Sequence, residues 1–184
     1  MTNDPGDYGG ANTVVATMAM DWIGLLLAGD MATAWERLDD EFRLAIVQGF
    51  IVRMQGLPPE QDLDELANEL AVERPDHRLW LRLRTSIHEE LMNALPGIAD
   101  EPLHAGQRPR PLAPDLELVR LFPESELQQD PATGRLFFGQ NQWARVYSVI
   151  MRQTSDGWRV GGIGEHLLSP GWPPTSHRIA RFDD

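Results

Sequence analysis

Asp21 is the only charged residue between Val14 and Ala28. A carboxylate set in so apolar a run is a candidate proton carrier, because burial disfavours its ionised form and raises its pKa into the range useful for acid–base work. The competing reading puts Asp21 on a wet helix edge beside Thr17 and Gly24. Tyr147, one of two tyrosines, sits in the middle of an apolar run. Its hydroxyl either bonds a substrate carbonyl or marks the rim of ordinary aromatic packing. His166 follows Gly164-Glu165; at a strand end it is a titrating imidazole if that end opens onto a pocket, and a solvated one if it does not. Asp21, Tyr147 and His166 form the candidate catalytic set. Chemistry requires at least two of them to converge on one cavity. Met18, Trp22, Val149, Met151 and Trp172 are the candidate lining for a small apolar ligand.

Other chemistries find little support. His88-Glu89-Glu90 is followed at the third and fourth positions by Leu91 and Met92, so the two-histidine helical zinc motif is not formed. No histidine pair has metal-ligand spacing, and neither metal nor organic cofactor is expected. Gly161-Gly162-Ile163-Gly164 belongs to a strand with no helix after it, which rules out a phosphate cradle. No Gly-x-Ser-x-Gly elbow occurs. The chain holds no cysteine, which removes thiol nucleophiles, disulfides and iron–sulfur ligation and fits a reducing compartment. The formal net charge is -12, there is no lysine, and the arginines are scattered. Such a field repels phosphate backbones and anionic membranes, so nucleic acid and membrane partners are not expected. The longest apolar run, Val14 to Ala28, is interrupted by Asp21 and falls short of the roughly 20 residues a bilayer requires. A cytoplasmic protein is expected, with residues 1–12 frayed and 13–184 forming one domain.

Ahead of the candidate site residues of the C-terminal third stand elements that read as helix. A first helix is expected over Thr13 to Ala28, capped by Asn12 or Thr13 and ended by Gly29. Asp30 caps a second, with Ala34, Trp35 and Leu38 as its apolar face, and Asp39 or Asp40 restarts the chain into Phe42, Leu44, Ile46 and Val47. Gly49 to Met54 reads as a helix end or a short strand, stopped by Gly56 and Pro58-Pro59. The acidic run from Glu60 to Asp76 carries a stripe of Leu63, Leu66, Leu70 and Val72, the pattern of a solvated helix face. A third long helix is expected from Asp76 to Leu95, with Trp80, Leu83, Ile87 and Leu91 on one side. Ile98 to Pro114, rich in proline, reads as a loop, either a crossover or a lid. Strands are expected at Leu116 to Phe122 and Arg135 to Phe138, with a polar turn over Pro123 to Gly134. The clearest signal is a hairpin: Ala144 to Gln153, a Ser155-Asp156-Gly157 turn, then Trp158 to Gly164. Val146 and Ile150 mark one face of its first strand, and Tyr147, Val149 and Met151 the other. Both faces therefore need a cover: helices for one, and a pocket, a tail or a second copy of the chain for the other. The residues from His166 onward read as a tail.

Helices first and a curved antiparallel sheet last make an α+β architecture. The segments Val14–Ala34, with Gly29-Asp30 between helices, and Ala144–Gly164, with Asp156-Gly157-Trp158, resemble the nuclear-transport-factor-two-like superfamily, which includes polyketide-cyclase-like and ketosteroid-isomerase-like proteins. The resemblance implies a cone-like fold with a pocket between sheet and helices, where enzymes of the family place an Asp, His or Tyr. The chain departs from it at Glu41 to Arg74, mostly helix-like where those folds carry a strand pair. Two functions are expected: a non-catalytic module that binds a small apolar ligand or a protein and dimerises through a sheet face, or a cofactor-free isomerase, cyclase or epoxide hydrolase.

Overall fold

Gly29 and Asp30 set the course of the N-terminal half. The computed structural model describes residues 13–54, 60–72, 77–107, 111–138 and 145–179. Helix α1 spans Thr13–Leu27 and ends in a Schellman motif: Gly29, at φ +71°, donates to Leu26 O and Asp30 donates to Leu25 O, both at 3.0 Å. Glycine is needed there because the left-handed backbone costs any side chain. Asp30 then caps α2 (Met31–Glu36), accepting from the Thr33 amide at 3.2 Å. Asp39 caps α3 (Asp40–Arg53) through the Phe42 amide, and Asp62 caps α4 (Leu63–Ala71) through those of Asp64 and Glu65. Helix α5 covers Trp80–Ala94.

Tryptophans tie these helices together. Trp22 on α1 donates its indole N–H to Ala34 O at 3.1 Å, and Trp35 on α2 donates to Ala71 O at 3.3 Å. Trp35 also meets Trp80 edge to face, with ring centroids 5.6 Å apart. His88 on α5 donates a ring N–H to Leu26 O at 3.0 Å, holding α5 against α1.

The strands are β1 (Leu103–Gln107), β2 (Leu116–Pro123), β3 (Leu127–Gln129), β4 (Leu136–Phe138), β5 (Tyr147–Thr154), β6 (Gly157–Ile163), β7 (His166–Ser169) and β8 (Thr175–Arg178). Six form one antiparallel sheet in the order β1-β2-β5-β6-β7-β8, and β3 pairs with β4 in a separate hairpin within the β2–β5 connection. The architecture is thus α+β, helices followed by antiparallel sheet, as the sequence implies. The β5–β6 turn has Gly157 at φ +110°, with Thr154 Oγ1 donating to Gly157 O at 2.8 Å. The register shifts between Ile150 and Met151, where Gly161 is the extra residue of a β-bulge in β6.

Both faces of β5 are covered. Tyr147, Val149 and Met151 join the main core with the helices. On the other face Ile150 and Leu118 are fully buried beneath Leu112, Leu116, Leu167 and Ile179. The chain's own segments supply that cover, so burying this face does not call for a second copy.

Several expectations are corrected. The segment read as a proline-rich loop contains β1, paired with β2 from Leu103↔Pro123 to Gln107↔Val119; an edge strand buries little, so its sequence needs no apolar alternation. The tail carries β7, which lies inside the sheet between β6 and β8 with Leu167 and Leu168 half-buried, and β8, the exposed polar strand at the other edge. The polar turn after Pro123 holds a 3-10 turn (Glu124–Glu126) and β3. Gly49 lies inside α3, which continues to Arg53, so the strand alternative for Gly49 to Met54 falls. On α4, Leu66, Ala67, Leu70 and Ala71 are buried while Leu63 and Val72 are exposed, narrowing the expected stripe. Expectations for residues 1–12, Gly56, Pro58, Pro59, Asp76, Ala144 and the chain beyond Ile179 lie outside the described residues.

Candidate functional site

The helical period places Met18, Asp21, Trp22 and Leu25 on one side of α1. They line an open groove of about 540 Å³, together with Met20 and Gly24 of the same helix, Thr33 and Arg37 beyond the α1–α2 turn, Met151 of β5, and Trp158 and Val160 of β6. Trp22, Met151 and Val160 are buried and form the floor, whereas Asp21, Gly24 and Arg37 are exposed at the mouth. Among the described residues the wall is largely apolar, with Asp21, Thr33 and Arg37 as its polar members.

A strap fixes Arg37 beside the sheet. Val160 donates to Arg37 O at 2.9 Å and accepts from the Asp39 amide at 2.8 Å, so the α2–α3 connection runs along β6 as a short parallel bridge at Leu38. Arg159 Nη1 adds a bond to Glu36 O at 2.8 Å. Behind the strap, Arg152 pairs with Glu41 and lies 3.7 Å from the buried Asp39 carboxylate. Desolvation is the largest influence on Asp39 and raises its pKa above the ordinary value, with the Arg152 charge acting against it.

A smaller cavity of about 210 Å³ lies between α3, α5 and β6–β7, lined by Phe42, Ile46, Ile87, Leu91, Ala94, Ile163 and Leu168, with Glu90 and His166 as its polar members. Glu90 is engaged by Arg53 and by Ser86 Oγ at 3.1 Å. Among the described residues no group of three or more His, Asp or Glu side chains could hold a metal ion.

The candidate catalytic set is not brought together. Asp21 lines the larger groove, on an exposed edge with Thr17 and Gly24. Tyr147 is buried and donates its hydroxyl to Pro96 O at 2.7 Å; burial raises the pKa of that hydroxyl, and it lines neither cavity. His166 borders the smaller cavity, with Nδ1 3.0 Å from Ser176 Oγ. Of the expected ligand lining, Met18, Trp22 and Met151 share the larger groove. Val149 is fully buried in the core. Trp172 lies over α4, donating its indole N–H to Asp64 at 2.7 Å, on a loop held by Gln48 Oε1 accepting from the Gly171 amide at 2.8 Å. Sequence reasoning missed Arg37, Thr33 and Trp158. Thr33 and Arg37 are four apart on one helix face, but an arginine at a helix end reads as solvated unless the strap to β6 is known.

No family model, curated protein or solved structure matches the chain. Among the described residues no helix is long and apolar enough to cross a membrane.

Proposed function

We propose that the protein is a non-catalytic binding module that takes a small, mainly apolar molecule in the groove between α1, α2 and β5–β6. The observation that carries this is the groove itself: about 540 Å³, within the usual size for small-molecule sites, walled by Met18, Met20, Trp22, Leu25, Met151 and Trp158. Methionine and tryptophan suit such a role, since thioethers adapt to irregular shapes and indoles offer wide apolar faces. The enzyme reading asks for a second acid–base group beside Asp21, and Tyr147 and His166 lie elsewhere. The likeness to the nuclear-transport-factor-two-like superfamily is supported by a long apolar helix, a short helix and a late antiparallel sheet. The helix α3, standing where those folds carry a strand pair, weighs against it.

Gly24 provides the test. It lines the groove, and a Cβ built there meets nothing within 4 Å. Gly24→Ala therefore raises helix propensity by about 0.5–1 kcal/mol without filling the space, whereas Gly24→Phe places a ring across the mouth. A panel of small aromatic and aliphatic probes is titrated against tryptophan fluorescence, to which Trp22 and Trp158 report. Wild type and Gly24→Ala should bind and Gly24→Phe should not. Undiminished binding by Gly24→Phe places the ligand elsewhere and sinks the proposal.

A further inference from the structure

We infer that the groove selects a small zwitterion with an apolar body, its ammonium group set against Asp21 and its carboxylate against Arg37. This rests on the groove being a binding site. Several charges on the segments flanking it are engaged: Asp30 and Asp39 cap helices, Arg152 pairs with Glu41, and Arg159 bonds Glu36 O. Asp21 and Arg37 differ. Both line the groove, and among the described residues neither side chain makes a hydrogen bond or an ion pair, with the other or with any third group. An anion and a cation thus face one apolar trough with their bonding capacity unspent.

The complement of that surface carries both charges on a hydrocarbon frame. A ligand carboxylate matches the two-pronged guanidinium of Arg37, and an ammonium donates to the Asp21 carboxylate. The hydrocarbon lies on Met18, Met20, Leu25 and Trp158, the half-buried part of the wall. Whole-molecule charge favours the same choice. A net charge of -12 repels a simple anion on approach. A simple cation is attracted but leaves Arg37 opposed by nothing. A zwitterion carries no net charge to repel and answers both groups. Two sources share this chemistry, hydrophobic amino acids and short apolar peptides, and they differ in the spacing between ammonium and carboxylate.

The test uses the full chain and ligands that share one apolar body: phenylalanine, phenethylamine, 3-phenylpropionate and 2-phenylethanol, with the phenylalanyl-phenylalanine dipeptide as the wide-spaced zwitterion. Affinities are read by tryptophan fluorescence and calorimetry. A zwitterion is expected to bind about fivefold tighter than either singly charged analogue, the scale of an exposed charge pair. Which zwitterion binds tighter, the amino acid or the dipeptide, names the source. Arg37→Gln should cost the zwitterion about fivefold and leave phenethylamine unchanged, and Asp21→Asn should do the same relative to 3-phenylpropionate. Both side chains are exposed, so the variants should fold, which circular dichroism checks. Equal affinity for all ligands, or tightest binding of the alcohol, overturns the inference and leaves the groove a binding site. The same holds if the Gly24 probe panel binds while no zwitterion does. If no compound of either series binds, the groove reading itself is overturned.

Discussion

Tyr147 illustrates how a residue suited to chemistry is spent on structure. Its hydroxyl is bonded to Pro96 O at 2.7 Å, anchoring the end of the turn after α5 to the start of β5. Tyr147→Phe should cost about 1 kcal/mol, the usual net worth of one such bond, measured as a shift in the urea midpoint. Probe binding in the groove should be unchanged; a loss of binding at unaltered stability would return Tyr147 to the site. Asp39 makes the opposite case, a residue not singled out as a site candidate that carries a physical signature. Its folded-state pKa is raised above 3.8 chiefly by burial. A carboxyl with a raised folded pKa binds its proton in the native state before the unfolded chain does, so its contribution grows more favourable as pH falls through the folded pKa and is complete below the unfolded value. Asn keeps an oxygen to cap α3 but cannot titrate. The stability of wild type relative to Asp39→Asn should therefore rise between about pH 7 and about pH 4. Paired urea titrations check this, and a relative stability that falls with acidification reverses the assignment. Glu117 is shifted the same way by burial, so only the difference between the two proteins isolates Asp39.

At the scale of elements, what the sequence made legible was whatever local chemistry alone decides. The Gly29 stop, the Asp30 cap and the Asp156-Gly157 turn were readable because each is a contract between near neighbours. Strands β1, β7 and β8 were not: β1 and β8 are edges, and β7 is four residues long, so each is specified by the partner it pairs with and not by its own pattern. Adjacent glycines in β6 show the same division. A Cβ at Gly162 would lie 2.9 Å from His166 O, a backbone atom, and 3.0 Å from Ile150 Cδ1. At Gly161 the nearest atom is Arg152 Cβ at 3.4 Å. Gly162→Ala should therefore destabilise by about 1–3 kcal/mol through overpacking, while Gly161→Ala should stay near neutral, its contact offset by reduced freedom of the unfolded chain. Thermal melts of the two variants decide it, and equal effects would mean that β7 can retreat from β6. No sequence signal separates these residues, because the difference arises from the β6–β7 pairing at Gly162↔Leu167. The groove was half legible for a related reason. Met18, Asp21 and Trp22 share a helix face that periodicity reveals, but Arg37 joins them only through the bridge to Val160, more than a hundred residues along the chain.

Charge acts on the molecule as a whole, and the sequence displays it in full. With 28 acidic and 16 basic residues the folded chain repels itself at neutral pH. The visible ion pairs do not reverse this. Arg53–Glu90, Arg145–Glu101 and Arg178–Glu165 each have one or both side chains well exposed, and exposed pairs contribute about 0–1 kcal/mol each and weaken in salt. The two effects oppose one another when salt is added: screening relieves the repulsion of the whole surface and also loosens the pairs. The repulsion spans the molecule, so it is the part that a Debye length falling from about 30 Å at 0.01 M to about 10 Å at 0.1 M removes. The pairs act at contact distance and persist. Raising sodium chloride over that range should therefore raise the melting temperature, by about 2–4 °C for each 1 kcal/mol of repulsion relieved in a chain of this length. Potassium chloride should match it, since screening depends on ionic strength and not on the cation. A melting temperature that falls would show the contact pairs outweighing the net charge. A rise confined to one cation would point to specific binding at an acidic surface such as the capped start of α4, where Asp62, Asp64 and Glu65 lie together.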